Sequence, residues 1–359
     1  MFVQRPARSP LACDMLKAEV LPPSRLDVAD RAAWTRMLAA TPELRRAFFT
    51  PCFALACERA GYRVRVGVLR QGGATRGFLP FQFASSWHER LGLAERVGDG
   101  LCDNAGLIAE PGFTTDPVAL LRCCGISWLF ITHLAENQEA FGLTAETYEV
   151  GHRIDLLDGS AAYFAALAAG RRGFVQDTER RLRRAERDHG ALRFACDTRP
   201  ELSAVLGLIA RKRDQYQRTG AGDLFDDQRR QRLIEALLAD STPDCRPVLT
   251  MLFGGERLLA SHLGLLHHGV LSYWFPVYDP EAQKVSPGRL LLWHTLQQAE
   301  GMGLRQIDRG EGDSEAKRDF STATTRFGRA AWSAGTLRAG VARLWQSAEW
   351  RLAAWREAW

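Results

Sequence analysis

Apolar and polar residues alternate over three consecutive segments in the second half of the chain. The segments read PVLTMLF (247–253), RLLASHLGLL (257–266) and VLSYWFPV (270–277), and glycine-containing turns separate them. A period of two with short turns is typical of strands joined as hairpins. The pattern therefore predicts three antiparallel strands.

The period changes directly after the third strand. Ser286 and Pro287 precede the apolar segment RLLLWHTLQQAE (289–300), and both residue types are favoured at the start of a helix. We expect a helix that Ser286 caps and that the following glycines end. The segment LRQID (304–308) then predicts a strand parallel to the third, reached by a right-handed crossover.

The other segments alternate between helical and strand patterns. A hairpin is predicted from RVRVGVLR (63–70) and TRGFLPFQFA (75–84), with Gly72 and Gly73 in its turn. We expect further helices near 30–39, 43–60, 163–169, 171–187, 201–218, 226–238 (capped by Asp226 or Asp227) and 315–320, and further strands near 128–132, 192–196 and 326–332. The second half thus reads β-β-β-α-β-α-β, an α/β pattern.

Residues 336–359 carry a separate pattern. Apolar residues, several of them Trp, recur at helical spacing, with arginines among them. The spacing predicts an amphipathic C-terminal helix. Such a helix can pack on the body or on a protein partner, and Trp with Arg also suits a membrane surface.

Composition and charge set the wider frame. The 359 residues are 46% hydrophobic, which indicates a folded chain long enough for about two domains. The net charge is +5, and residues 171–187 hold seven arginines against three acidic residues. This segment is either a solvated helix or an anion-attracting surface. No nucleic-acid motif accompanies it, so no DNA partner is expected.

Cysteine usage and hydropathy indicate an intracellular location. None of the eight cysteines forms a C-x-x-C pair, which favours reduced thiols over a disulfide framework or a metal site. The N-terminal segment lacks the apolar core of an export signal, and no run is long enough to span a bilayer. We expect a cytoplasmic protein that can associate with the surface of the inner membrane through residues 336–359.

Four stretches resemble a known family. They are ARKRDQYQRTGAGDLF (210–225), LLASHLGLL (258–266), YWFPVYDPEAQKVSPGRLLLWHTLQQAEGMG (273–303) and IDRGEGDSEAKRDF (307–320). Together they resemble the GNAT-superfamily acyltransferases of the CelD/BcsL type, associated with cellulose biosynthesis, which are similar in turn to the FemAB transferases. One departure lies in the phosphate loop, where Val285 and Leu290 replace two of its usual anchor residues.

The resemblance implies two GNAT-like domains in tandem, with a mixed central sheet flanked by helices. Residues 1–150 would form a degenerate N-terminal half, residues 151–335 the catalytic domain, and residues 336–359 the C-terminal helix. The expected donor is acetyl-CoA or another acyl-CoA, without a metal. The acceptor would be a small molecule or carbohydrate.

The order of elements suggests where the donor binds. A helix N-terminus presents free N–H groups that suit a pyrophosphate, so Ser286, Gly288 and Arg289 are candidate phosphate ligands. If the third and fourth strands separate, the backbone of Phe275 and Val277 can hold the amide-bearing arm of an acyl-CoA.

Acyl transfer needs a base for the acceptor and stabilisation of developing charge. Asp308, at the end of the fourth strand, is the first candidate for the base, and Glu311 is the second. Lys317 can stabilise negative charge, and Tyr278 can protonate the leaving thiolate. The alternative for Asp308 is a loop carboxylate paired with Arg309 or Lys317, and the others have similar structural alternatives.

Candidate acceptor ligands lie on the second strand, the third strand and the 201–218 helix. His262 has small neighbours on its face of the strand, so it either lines a pocket or is a core histidine. Trp274, Arg213 and Tyr216 are the other candidates. The His267-His268 pair in the turn is expected to be exposed.

The function that these features favour is acyl transfer from acyl-CoA to an amine or hydroxyl. The acceptor would be a sugar, a polysaccharide precursor or an amino-acid-derived metabolite. One alternative is a FemAB-like transferase that uses charged tRNA. The other is a non-catalytic partner of a membrane complex that synthesises polysaccharide.

Overall fold

The structure is a computed structural model, and it describes residues 16–335. A mixed β-sheet runs through this part of the chain. The predicted helix over residues 336–359 lies outside the described residues. The strands are β1 (Lys17–Leu21), β2 (Arg63–Gln71), β3 (Ala74–Phe83), β4 (Leu93–Glu95), β5 (Ile108–Ala109), β6 (Trp128–Ala135), β7 (Thr147–Asp155), β8 (Leu192–Asp197), β9 (Arg246–Gly254), β10 (Arg257–His267), β11 (Val270–Tyr278), β12 (Gln306–Glu311) and β13 (Ala323–Ser333). Their order is β1-β2-β3-β4-β6-β13-β7-β12-β11-β10-β9-β8, and β5 pairs with β3.

Helices cover both faces of this sheet. They are α1 (Val28–Ala40), α2 (Pro51–Arg59), α3 (Ser86–Leu91), α4 (Pro117–Cys123), α5 (Gly159–Gly170), α6 (Arg172–His189), α7 (Leu202–Thr219), α8 (Gln228–Ala239), α9 (Pro287–Gln297) and α10 (Glu315–Arg318). The arginine-rich segment is a helix of its own, α6, and Arg171, whose backbone is not helical (φ −138°, ψ 50°), separates it from α5.

Most predicted elements are confirmed. The β2–β3 hairpin turns at Gly72 and Gly73, whose φ angles of 61° and 79° favour glycine. The β9–β10–β11 segments pair antiparallel, as their alternation predicts. The carboxylate of Asp227 caps α8 by accepting from the backbone N–H of Arg229.

The predicted helix over 43–60 is wrong in its first half. Residues 42–44 and 47–49 form short 3₁₀ turns, and the α-helix begins only at Pro51. Proline disfavours helical backbone in the residue before it, and Thr50 is extended there. The Thr50 hydroxyl accepts from the N–H of Phe53, so this residue caps α2 instead of continuing a helix.

The crossover from β11 through α9 to β12 produces a parallel pair that soon separates. Only Val270–Ser272 pair with Gln306–Asp308, although β11 continues to Tyr278. Beyond Asp308, β12 has an irregular register against β7, and Gly310 adopts a positive φ of 67°. The strand bends there, which leaves the end of β11 without a β12 partner.

One hydrophobic core joins the two halves of the chain. It contains Trp34 and Phe53 from the first half together with Leu263 from the second. The ring of Phe48 contacts that of Trp274 edge-on, with centroids 5.7 Å apart. The last strand, β13, returns to pair with β6 on one side and β7 on the other.

A buried ion pair links the halves at the centre of the sheet. The Arg46 guanidinium donates to the Asp308 carboxylate at 2.5 Å, and the two side chains are 9% and 2% exposed. The same carboxylate accepts from the N–H of Gly310 at 2.9 Å. A charge buried to this extent needs its partner, because water cannot replace it.

Replacing Arg46 should therefore destabilise the fold strongly. We expect Arg46→Ala to reduce the free energy of unfolding by about 3–5 kcal/mol in urea denaturation, since it leaves Asp308 buried and unpaired. The double variant Arg46→Ala/Asp308→Asn should lose less free energy of unfolding than Arg46→Ala alone, because it leaves no unpaired buried charge. Arg76→Ala, which breaks an exposed pair with Glu110, should cost below about 1 kcal/mol. An Arg46→Ala loss as small as that of Arg76→Ala would contradict this role of the pair.

Candidate active site

The separation of β11 from β12 leaves a gap in the pairing of the two strands, and the residues that follow the last pair, Tyr273 and Arg309, contact each other. The Arg309 guanidinium lies over the Tyr273 ring, 5.3 Å from its centroid. It donates to the carbonyl of Ala316, while its buried Nε has no partner among the described residues. Burial lowers the pKa of Arg309. Because its Nε has no hydrogen-bond partner, the Arg309 guanidinium can bind an anion. The sequence did not indicate this role for Arg309.

His262 lies beneath this gap as a core residue. Its ring stacks on that of Tyr273 at 3.7 Å, and its side chain is fully buried. The N–H of Trp274 donates to His262 Nε2 at 3.1 Å, and Nδ1 lies 3.4 Å from the Thr250 hydroxyl. Burial lowers its pKa to about 3, so the ring is neutral. His262 is therefore a core histidine and not a residue that lines a pocket.

The start of α9 differs from the expected capped helix. Ser286 has left-handed backbone with a φ of 54°, and its side chain makes no capping hydrogen bond. The predicted N-cap role of its hydroxyl is therefore wrong, because capping requires extended backbone. The hydroxyl instead accepts from Arg181 of α6 at 2.9 Å.

Arg289 and Gly288 have contrasting surroundings. Arg289 donates to Asp177 at 2.9 Å and to the carbonyl of Phe174 at 3.0 Å, and it lies over the Phe174 ring. Gly288 has no atom within 4 Å of where a Cβ would stand. The first turn of α9 is thus open beside Gly288, while α6 holds Arg289.

Five arginines of α6 form an arginine surface next to the start of α9. With Lys284, which precedes α9, they line an open depression of about 510 Å³; they are Arg180, Arg181, Arg183, Arg184 and Arg187. Asp177 and Asp188 pair with four of the arginines, but Arg183 has no acidic partner among the described residues. The surface keeps a positive excess next to the start of α9.

A second group of charges lies where β12 bends, around Glu311 and Lys317. Glu311 accepts from Arg329 at 2.7 Å and lies 3.4 Å from His133. The Lys317 ammonium donates to the carbonyls of Gly310 and Glu311, at 3.3 and 2.5 Å. Burial lowers the pKa of Lys317. Asp308 lies in the middle of β12, so its predicted position at the end of the strand is wrong. Its ion-pair partner is Arg46, so the alternative partners Arg309 and Lys317 are wrong as well.

Asp103 completes this group from the first half of the chain. Its Oδ2 lies 3.7 Å from where a Cβ on Gly310 would stand, and its carboxyl has no hydrogen-bond partner among the described residues. Burial raises its pKa to about 7, although Arg96 and Lys317 oppose the shift. A carboxyl that titrates near neutrality suits a general base. No spacing or motif in the sequence points to Asp103, because its neighbours come from another part of the chain.

A cleft of about 370 Å³ includes Asn104, the residue after Asp103, in its lining. Both halves line it, with Arg45, Arg46, Asn104, Arg153, Arg305 and Arg326 among its residues. The predicted acceptor ligands lie elsewhere: Arg213 pairs with Asp223 on the surface, and Tyr216 contacts Lys212 on α7.

The remaining predicted residues lie along β11 and its turns. The side chains of Trp274, Phe275 and Val277 are buried in the shared core. Tyr278 packs beside the apolar cluster of α9. His267 is buried, contrary to the expectation of exposure, and only His268 is exposed. With Asp244, these histidines bring three potential metal-ligand atoms within 4.8 Å of one another.

Comparisons with known proteins support the fold class. Residues 172–318 match the family described as an acetyltransferase (GNAT) domain. FemX has 11% sequence identity and a TM-score of 0.59, over 91% of this chain and 99% of FemX. A conserved protein of unknown function from Bacteroides thetaiotaomicron has 13% identity and a TM-score of 0.54, over 89% of this chain and 100% of that one. No curated protein matches the sequence.

These likenesses establish the fold alone. The predicted class, a tandem GNAT-like α/β fold with a mixed sheet flanked by helices, is confirmed for the described residues. Residues 172–318 are thus similar in sequence to a GNAT acetyltransferase domain. No helix within residues 16–335 combines the length and apolar character needed to cross a membrane.

The raised pKa of Asp103 predicts a pH-dependent cost to stability. A carboxyl whose pKa is higher folded than unfolded favours folding at low pH, and this contribution is lost as pH rises from about 4 to about 7. Asp103→Asn should therefore raise the unfolding temperature by several degrees at pH 8 and much less at pH 5. Asp226→Asn, at an exposed site, serves as the control for the charge change. Equal effects of Asp103→Asn at both pH values would refute the shift.

Proposed function

We propose that this chain is an acyltransferase that transfers an acyl group directly from acyl-CoA to an amine or hydroxyl. The acceptor would be a sugar, a polysaccharide precursor or an amino-acid-derived metabolite. One observation carries the proposal: the Asp103 carboxyl, with a pKa near 7, stands where β11 and β12 separate. The GNAT domain match over residues 172–318 supports the reaction class.

The gap between the strands has the features that an acyl-CoA requires. The end of β11 offers backbone groups, around Phe275 and Val277, to which the amide-bearing arm can bond as an extra strand. The first turn of α9 offers the N–H of Gly288 to the pyrophosphate, with open space beside it, while the N–H groups of Arg289 and Leu290 donate to the Ser286 carbonyl. Arg181, which bonds to Ser286, adds positive charge there.

The charged group at the bend in β12 can perform the acid–base chemistry. As the acceptor attacks the acyl carbonyl, its proton passes to Asp103, and the CoA thiolate leaves with the electron pair of the broken C–S bond. Lys317 and Arg309 supply positive charge near the developing negative charge. Asp308, the first candidate from the sequence, bonds to Arg46 and to the N–H of Gly310 and so positions the bend; it is the alternative to Asp103 as the base.

The acceptor would enter through the cleft between the halves. Asn104, the neighbour of Asp103, lines this cleft. Its arginines and carboxylates offer hydrogen bonds to hydroxyls and to anionic groups, which fits a carbohydrate or a polar metabolite. His262, Arg213 and Tyr216 are then too far removed or too enclosed to contact the acceptor, and Trp274 serves the core.

Charged tRNA is the second candidate donor. The observation that favours it is the arginine surface of α6, which continues from the start of α9 and keeps Arg183 unpaired among the described residues. A polyanion would bond to such a surface with a strong dependence on salt. Retention of charged tRNA, without a response to any acyl-CoA, would favour this donor.

The third possible function is a non-catalytic one. The chain would then be a cytoplasmic partner of a membrane polysaccharide complex, docked at the inner membrane through residues 336–359. Absence of turnover with every donor, together with binding to such membranes, would favour it.

Donor binding can be tested by thermal shift. Acetyl-CoA should raise the unfolding temperature of the full chain, because a ligand that binds only the folded state stabilises it. Gly288→Leu should abolish the shift by filling the open space at the start of α9. Gly207→Leu is the matched control, since this helical glycine of α7 also has open space beside it. An unchanged shift in Gly288→Leu would exclude this donor position.

The base can be identified from a pH–rate profile. The rate should rise with pH through about 7 as Asp103 loses its proton. Asp103→Asn should lower kcat at least about 100-fold and remove this rise. Lys317→Ala should lower kcat and move the midpoint to higher pH, because the Lys317 ammonium lowers the pKa of Asp103. If Asp103→Asn keeps both rate and profile while Asp308→Asn loses them, Asp308 is the base.

A further inference from the structure

The turn between β10 and β11 carries two adjacent histidines whose rings contact each other. His267 ends β10 and is 1% exposed, while His268 follows it on the surface. Consecutive side chains of a strand point to opposite faces. His268 instead has left-handed backbone, with a φ of 45°, and the centroids of the two rings lie 4.5 Å apart. The turn therefore brings two imidazoles to one place.

A carboxylate from another segment joins the two histidines. Asp244 lies just before β9, and the pairing of Arg246 with Leu266 brings it beside the end of β10. Its Oδ1 lies 3.7 Å from His268 Nε2. One donor atom from each of the three side chains lies within 4.8 Å of the other two, and no other such group occurs in the described part of the chain. Two imidazoles and a carboxylate are thus within reach of a single ion.

The buried ring of His267 has one nitrogen without a partner. Its Nδ1 lies 2.6 Å from the Asp244 carbonyl, which can only accept, so Nδ1 carries the ring proton. Nε2 then has a free lone pair, and it is buried without a hydrogen-bond partner among the described residues. Histidines that bind metals are commonly held in this way, with the second nitrogen bonded to a carbonyl. An unpaired buried nitrogen of this kind indicates a bound ion or water.

We infer that His267, His268 and Asp244 bind a divalent transition-metal ion, and that zinc fits them best. Imidazole nitrogens and carboxylate oxygens bind zinc at about 2.0–2.2 Å, so the ligand atoms of a tetrahedral site stand roughly 3.4 Å apart. The 3.7 Å between His268 Nε2 and Asp244 Oδ1 needs only a small adjustment. Magnesium and calcium are disfavoured because they prefer oxygen ligands. This inference does not depend on the proposed acyl transfer.

The surroundings of the three ligands define what the site requires. His268 is exposed and lines the cleft between the halves, so solvent reaches the site and can supply a fourth ligand. Arg45 and Arg305 line the same cleft, and their positive charges oppose a bound cation. The Asp244 carboxylate is the ligand that offsets them, so binding should depend on its charge.

Zinc binding can be measured by calorimetry on the full-length protein after treatment with a chelator. One equivalent of Zn²⁺ should bind and raise the unfolding temperature, because an ion that binds only the folded state stabilises it. His268→Ala and Asp244→Asn should each weaken binding at least about tenfold and remove most of the thermal shift. The two side chains are 52% and 43% exposed, so both variants should fold. Absence of saturable binding by the wild type would overturn the inference.

Asp313→Asn is the matched control for these variants. Asp313 also pairs with a buried histidine, since its Oδ1 lies 2.8 Å from His152 Nε2, but it belongs to no group of three potential metal ligands among the described residues. The Asp313→Asn variant should therefore keep the wild-type affinity for Zn²⁺. A loss in Asp313→Asn equal to that in Asp244→Asn, or full affinity in both variants of the site, would refute the assignment.

Cobalt distinguishes the three ligands from the free cysteines. Co²⁺ bound by imidazoles and a carboxylate should give visible absorption bands without the intense near-ultraviolet bands of thiolate ligands. The visible bands should saturate at one equivalent in the wild type and in Asp313→Asn, and they should be lost in His268→Ala. Thiolate bands at the first equivalent would place the ion on cysteines and overturn the site.

Discussion

The bend in β12 is the constraint on which the rest of the site depends. This strand pairs with β11 on one side and β7 on the other, and it cannot keep both partners beyond Asp308. The positive φ of Gly310 takes the chain towards β7. As a result, the end of β11 loses its neighbour, Arg309 lies over Tyr273 in the opening, and the carbonyls of Gly310 and Glu311 become available to Lys317.

The first half of the chain supports this bend and adds to its chemistry. Arg46 neutralises Asp308, which would otherwise be a buried unpaired charge beside the opening. Asp103 brings a carboxyl to the same place, where burial raises its pKa into the neutral range. The N-terminal half therefore supplies an ion-pair partner and a titratable group. Two separate domains in loose contact could not hold these groups, but one shared core can.

Local structure was largely predictable because it depends on neighbouring residues. The alternation of β9, β10 and β11 and the glycines of the β2–β3 turn act within a few residues of each other. The failures have local causes too. Pro51 delayed the start of α2, and the left-handed backbone of Ser286 prevented its hydroxyl from capping α9. Ser-Pro at a helix start indicates a cap only when the serine is extended.

By itself, the sequence determined the element order from β9 to β13, the crossover after β11 and the class of fold, because the apolar period and the turn residues depend on consecutive residues. The tertiary structure alone decided which charges meet. Asp308 faces Arg46, and Asp103 stands beside Gly310, across more than 200 residues in each pair. Burial then raised the pKa of Asp103, because a pKa depends on surroundings that folding creates, and no spacing along the chain encodes them.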